Sequence, residues 1–240
     1  MAALKALAAA LAAAVALIPG GAGAACRLAL ILALDISGSV DAREYELQMG
    51  GIAQALENPE VQAALFAQPQ APVHLMIFEW SNGQYQREVL GWTAMTGPAD
   101  TAAVAGHLRG WRRDFSRGST GLGAALRYAA ARFEDGPACW RRTIDISGDG
   151  RNNAFPMPRQ VKDSGFLDGI TVNALVIGQS PMSETTRLSD IRDLTTYFRD
   201  RILHGPDAFL EPAWGFEDYA RAMQKKLLRE LQPRLIGWVR

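Results

Sequence analysis

Between residues 35 and 39 the chain reads Asp-Ile-Ser-Gly-Ser, a carboxylate and two hydroxyls at every second position with a glycine for a tight turn. All three donors are hard oxygens, a set that suits Mg²⁺ or Mn²⁺ rather than zinc. Two later segments offer ligands of the same kind. Thr120 lies in Gly118-Ser119-Thr120-Gly121, which opens an apolar helical stretch ending near Phe133. Asp149 lies in Ile146-Ser147-Gly148-Asp149-Gly150, where a short apolar strand runs into an acidic turn. Singly, each motif has an ordinary reading: Ser37 and Ser39 can cap the next helix, Thr120 can be an N-cap, and Asp149-Gly150 can be a plain turn. Together, three hydroxyls and two carboxylates, some acting through water, would fill the octahedral shell of Mg²⁺ and leave one position open.

The elements that must position these residues are legible in the hydrophobic pattern. Asp35 closes Leu28–Leu34, a run apolar at every position and so a strand buried on both faces. Val73–Trp80, Thr143–Ile146 and Ile170–Ile177 read as further buried strands. Gln84–Met95, reached through the Ser81-Asn82-Gly83 turn, reads as an antiparallel partner of the second. A helix starts at an Asp41/Glu44 capping box and runs to about Glu57, with Tyr45, Met49, Ile52 and Leu56 on one face. Further helices are predicted over Val61–Phe66, Pro98–Leu108, the stretch after Thr120, Pro158–Ser164 and Leu188–Phe198. Ala208–Glu211 is predicted as a short edge strand, and an amphipathic helix after Gly215 carries Phe216, Tyr219, Met223, Leu227 and Leu231. This alternation predicts an α/β fold with a mainly parallel central sheet, covered on both faces and carrying one antiparallel edge strand. Such sheets place their sites at the carboxyl ends of strands, and right-handed crossovers bring Asp35 and Asp149 together there.

In order and spacing, Asp35, Ser37, Ser39, Thr120 and Asp149 resemble the metal-ion-dependent adhesion site of von Willebrand factor type A domains, a likeness running from Arg27 to about Ile177. The wording Ile146-Ser147-Gly148-Asp149-Gly150-Arg151-Asn152-Asn153 is similar to a bacterial family within that superfamily, domain of unknown function 1194. The resemblance implies a three-layer, doubly wound fold. It also implies a Mg²⁺ or Mn²⁺ ion whose open position accepts a carboxylate from a partner protein. It implies no particular partner and no activity. In the type A fold the strands following Cys26 and Cys139 are parallel neighbours at the sheet centre, so both thiols would share the edge away from the metal. A disulfide is then expected, with two separate buried thiols as the alternative. Glu79 and Trp80, ending a strand parallel to the first, are candidate rim residues, and Trp80 reads equally well as core. Asp145, inside a strand, must be hydrogen-bonded or neutralised, either supporting the metal loops or making a structural polar contact. Asn152 is a further rim candidate; local hydrogen bonding is the ordinary reading of it and Asn153.

The chain start, Lys5 then an apolar stretch Ala6–Ile18 and Ala22-Gly23-Ala24, reads as a signal peptide over residues 1–24. Residues 25–240 are then a single domain, periplasmic or secreted in a bacterium. An uncleaved apolar anchor is one alternative, and lipidation of Cys26 another. No later segment is long and apolar enough to span a membrane. With 25 basic and 25 acidic residues the formal charge is zero, which excludes a broad nucleic-acid-binding surface. Arg109, Trp111, Arg112, Arg113 and Arg117 form the nearest thing to a basic patch and read as a solvated loop or a contact for an acidic partner. Enzyme signatures are missing: the three histidines lack metal-ligand spacing, Ser119 is not in a nucleophile elbow, and there is no P-loop. The sequence therefore predicts an exported, metal-dependent protein-binding module and no catalytic residues. A scaffold domain with an empty site and a Mg²⁺-dependent phosphoester hydrolase are the alternatives.

Overall fold

A computed structural model of the chain describes residues 26–114, 118–178 and 184–232. The predicted signal peptide and Arg117 lie outside them. Six strands form one sheet: β1 (Leu28–Asp35), β2 (Val73–Trp80), β3 (Gln86–Met95), β4 (Arg142–Gly148), β5 (Ile170–Ile177) and β6 (Leu210–Ala213), in the order β3-β2-β1-β4-β5-β6. All neighbours are parallel except β2 and β3. The predicted antiparallel edge strand is therefore present. The opposite edge, β6, starts two residues later than expected because its pairing begins with Leu210 opposite Ala174, while the Phe209 amide donates to the Asn173 side chain.

Helices α1 (Ala42–Glu57), α2 (Pro59–Leu65), α3 (Pro98–Gly110) and α7 (Tyr219–Leu231) share a core with one face of the sheet; α4 (Leu122–Arg132), α5 (Pro158–Asp163) and α6 (Glu184–Arg201) share a core with the other. Strand alternation explains the unbroken apolar run of β1. Leu28, Leu30, Leu32 and Leu34 pack toward the first helices, while Ala29, Ile31 and Ala33 meet α4 through Ala125 and Ala129, where small side chains let helix and strand approach. Helix α6 begins earlier than its predicted Leu188 start. Apolar periodicity marks only the stripe it buries, Ile191, Leu194 and Phe198.

Two local readings are settled by the helix ends. Asp41 caps α1 in a full capping box with Glu44, so Ser37 and Ser39 are not caps. Gly121 is the N-cap residue of α4, and Thr120 stands one residue before it without capping the helix. Their hydroxyls are free for other work.

Cys26 and Cys139 are joined as a disulfide with alpha carbons 4.4 Å apart, within the range such bridges need. They form a parallel bridge at the amino-terminal edge, just ahead of β1 and β4. Asp145 makes the structural contact. Its carboxylate faces α7, where Lys226 Nζ lies 2.6 Å from Asp145 Oδ1 and 2.7 Å from Glu230 Oε1, with the lysine and aspartate fully buried. Asn173 Nδ2 donates to the same Glu230 oxygen at 2.8 Å. Burial pushes the Asp145 carboxyl up, and the adjacent Lys226 opposes that shift. Breaking such a buried cluster by removing one partner is costly, because the remaining charges stay buried without compensation. Among the described residues, no helix is long and apolar enough to cross a membrane.

Candidate metal centre

Asp35 is the last residue of β1 and fully buried. Its Oδ1 accepts the Ser37 amide at 2.7 Å, while Oδ2 is buried without a hydrogen-bond partner. Gly148, the last residue of β4, lies beside that oxygen: a Cβ there would touch Asp35 Oδ2 at an ordinary 3.4 Å and crowd the Phe198 ring at 3.1 Å. On the far side of the turn, the Ser39 hydroxyl donates to Asp149 Oδ1 at 2.7 Å. Thr120 Oγ1 donates to Ser37 Oγ at 3.4 Å, and Ser37 Oγ and Ser39 Oγ are 3.3 Å apart. The last two separations are long for hydroxyl hydrogen bonds, which centre near 2.7–2.8 Å. These hydroxyls converge on a shared region instead of satisfying one another. The five residues predicted as ligands thus come from three separate stretches of chain to one point at the carboxyl edge of the sheet.

The electrostatics point the same way. Burial, and then the charge of Asp149, push the Asp35 carboxyl up to about 8, while Ser37 and the nearby Asp149 backbone work in the opposite sense. Burial also raises Asp149, and the Ser39 hydroxyl opposes that rise. Two buried carboxyls beside each other are held partly neutral when nothing positive lies between them. The orphaned Asp35 oxygen and the all-oxygen donor set fit a hard divalent cation. Ser39 is exposed, so the group opens to solvent on that side. A hollow of about 270 Å³ lies beside Asp149, walled by Arg151, Asp190, Ile191 and Leu194.

Backbone contacts hold these residues in place. Asn153 clamps Thr120 with two bonds, its Oδ1 accepting the Thr120 amide at 2.7 Å and its own amide donating to the Thr120 carbonyl at 2.9 Å. Asn152 Oδ1 accepts the Gly123 amide in the first turn of α4 at 3.2 Å. The Gly38 amide donates to the Gly118 carbonyl at 2.9 Å, and a side chain at Gly38 would press on that carbonyl at 3.2 Å. Arg113 braces the ligand turn from outside: its guanidinium donates to the carbonyls of Ile36 at 2.6 Å, Val40 at 2.7 Å and Ser37 at 3.3 Å.

Arg113 corrects the reading of a basic patch. Arg109 pairs with Glu57, Arg112 donates to backbone carbonyls and Arg113 holds the turn after β1, so among the described residues the cations are dispersed and engaged. The rim expectation also changes. Glu79 is buried on the α1 side, accepting from Tyr45 at 3.1 Å, Tyr85 at 3.0 Å and Trp111 at 3.3 Å, with Arg87 3.4 Å away. Trp80 is fully buried on the opposite face. Neither reaches the surface, because the Ser81–Tyr85 turn and Gly121, whose amide donates to the Ser81 carbonyl at 2.7 Å, cover the strand end. Glu79 instead anchors Trp111, two residues before Arg113. Asn152 supports α4, and it is Asn153 that grips a predicted ligand.

The sequence of residues 25–235 matches the family described as protein of unknown function, DUF1194. The chain belongs to this family. No curated protein matches it. Its fold is that of von Willebrand factor type A domains. Proximal thread matrix protein 1 from the mussel byssus is 14% identical with a TM-score of 0.57, over 88% of this chain and 48% of the mussel protein. A second structure of that protein, with a zinc-occupied MIDAS motif, has a TM-score of 0.54 at 14% identity, with the same 88% and 48% coverage. A von Willebrand factor type A protein from Catenulispora acidiphila is 13% identical with a TM-score of 0.56, over 86% of this chain and 43% of that one. An aerotolerance-related membrane protein from Bacteroides fragilis is 15% identical with a TM-score of 0.52, over 84% of this chain and 99% of that one. This DUF1194 member therefore spans about half the length of the mussel protein.

Proposed function

We propose that this DUF1194 protein is an exported binding module in which a divalent cation, Mg²⁺ or Mn²⁺, bridges the domain to a carboxylate on a partner protein. The observation that carries the reading is the convergence of oxygen donors from five residues, among which Asp35 contributes a buried oxygen with no hydrogen-bond partner. Asp35 and Asp149 would supply the negative charge, and Ser37, Ser39 and Thr120 the neutral donors. Bound there, the cation would supply a Lewis-acidic position for an incoming carboxylate. The zinc-occupied motif of the mussel protein supports divalent-cation binding by this fold, and the hard donor set here favours Mg²⁺ or Mn²⁺. Export is supported by the signal-like start and by the disulfide, a bond that persists in oxidising compartments.

Calorimetric titration of metal-free protein with Mg²⁺ and Mn²⁺ tests this, with circular dichroism as the folding control. Wild type should bind one ion, and Asp149→Ala should bind none while keeping its fold. Binding to neither cation at millimolar concentration refutes the metal bridge and leaves the scaffold reading.

A further inference from the structure

After Asp149 the chain does not turn straight into the next helix. It runs along the metal edge of the sheet through Arg151, Asn152, Asn153, Ala154, Phe155, Pro156 and Met157. Phe155 is 77% exposed and Met157 42%, which makes them the two large apolar side chains that this stretch presents to solvent. Leaving a phenylalanine in water forgoes about 2–3 kcal/mol of burial, so the exposure has a stability cost.

The backbone beneath these side chains is held at successive residues. Asn153 is bonded twice to Thr120, and the Ala154 carbonyl accepts Asn152 Nδ2 at 2.7 Å. The Phe155 carbonyl packs so closely on the Ser81–Tyr85 turn that a Cβ on Gly83 would lie 2.7 Å from it. The Pro156 carbonyl abuts Gly123 in α4, where no side chain fits. The Met157 amide donates to Gln160 Oε1 at 2.9 Å. Phe155 is two residues beyond the Thr120 clamp, which is at most ~7 Å of chain.

Resting on the metal-bridge reading above, we propose that Phe155 and Met157 form a fixed apolar anchor beside the cation. The partner is then a protein segment presenting an Asp or Glu next to an aromatic or aliphatic side chain. The cation takes the carboxylate and sets direction; the anchor takes the apolar neighbour and supplies most of the affinity. Aromatic and methionine side chains are enriched at interface centres, and a locked backbone avoids the ordering cost of docking. Charge on the same edge is mixed, so the cation itself must supply the attraction for a carboxylate: Arg151 is exposed there, its guanidinium 5.5 Å from the centre of the Tyr197 ring, and Asp190 and Asp193 line the hollow beside it.

A random-peptide phage library selected on the immobilised protein in Mg²⁺, with elution by chelator, tests this. Enriched sequences should share an acidic residue with an apolar neighbour. A synthetic peptide of the enriched sequence should bind Phe155→Ser at least tenfold more weakly than wild type, while calorimetry shows unchanged Mg²⁺ affinity. Met157→Ser should fall between them. Acidic peptides without an apolar position, no chelator-sensitive enrichment by a protein that does bind Mg²⁺, or equal binding by wild type and both variants would overturn the anchor and leave the cation site standing. Chelator-insensitive sedimentation of wild type, but not Phe155→Ser, with phosphatidylglycerol vesicles would also overturn it, making the residue a membrane contact. Failure of wild type to bind Mg²⁺ at all would refute the underlying metal bridge instead.

Discussion

Replacing Asp35 by Asn should change stability in opposite directions with and without cation. The Asp35 carboxyl is fully buried, one oxygen has no partner, and burial together with Asp149 pushes it from 3.8 to about 8. In the unfolded chain it ionises near its ordinary value. Below about pH 4 both states are protonated and the group costs nothing. As pH rises from there, the unfolded chain releases a proton that the folded protein keeps, so stability falls until about pH 8 and then levels off. At about 1.4 kcal/mol per unit the full span has a ceiling of about 6 kcal/mol. Water entry and relaxation reduce such penalties, so the expected cost at about pH 8 is on the order of 2–3 kcal/mol. Asn carries no charge, is nearly isosteric, and keeps an oxygen for the Ser37 amide. In chelator, Asp35→Asn should therefore be the more stable protein at about pH 8 by this amount, the gap closing toward pH 4. In Mg²⁺ the order should reverse. Wild type gains about 4.1 kcal/mol at a concentration one thousand times Kd, more than its deficit in chelator, and the variant gains almost nothing. Urea unfolding across this pH range, with chelator or with Mg²⁺, measures both. Equal stability in chelator at pH 8 would refute the burial argument, and equal stabilisation by Mg²⁺ would show that the cation does not sit on Asp35.

Three further outcomes are expected. Lys226→Met leaves Asp145 and Glu230 buried without their cation and should cost about 3–5 kcal/mol at neutral pH. Adding Asp145→Asn and Glu230→Gln should recover most of that loss, and chemical unfolding that shows no recovery would count against a charge origin. Reducing the Cys26–Cys139 bridge, which closes a separation of 113 residues, should cost about 4 kcal/mol if unfolded-state entropy dominates. An unchanged urea midpoint in dithiothreitol would show that the bond does not constrain the chain. Asn153→Ala removes the side-chain half of the Thr120 clamp and should weaken Mg²⁺ binding about tenfold, roughly 1.4 kcal/mol, with little change in the far-ultraviolet spectrum. Unchanged affinity on titration would show that Thr120 is held by other means.

That Asp35, Ser37, Ser39, Thr120 and Asp149 meet was legible because each part is local: a strand end with its turn, a helix entrance, a second strand end. The sheet was legible because β1, β2 and β5 are apolar almost throughout, as strands buried on both faces must be, and the shorter β4 carries Ile144 and Ile146 at alternate positions. Arg113 was not, since the carbonyls it grips lie 73–77 residues earlier and the backbone carries no sequence signature. Glu79 was misplaced for a related reason. Alternation tells which face a residue takes, but the cage of Tyr45, Tyr85 and Trp111 that closes over it arrives from three other segments. A signal for the Asp145 contact did exist. Lys226 and Glu230, four apart, fall on the same stripe of α7 as Met223 and Leu227, where a lysine and a glutamate are out of place unless something charged lies opposite.

The disulfide has a mechanical consequence. β1 and β4 are paired side by side; Asp35 ends one, and Asp149 follows directly on the other. The sulfur bond joins the same two strands at the opposite end of the sheet. Between them lie the full lengths of both strands, so the bond and a bound cation would close a ring with the strands as its two rails. Sliding one rail by a single residue would displace a carboxylate by about 3.3 Å and break the coordination sphere. The far-end crosslink resists that slide covalently. A pull applied at the cation and resisted near Cys26 would be carried as shear by two parallel ladders at once, not by peeling one strand from its neighbour.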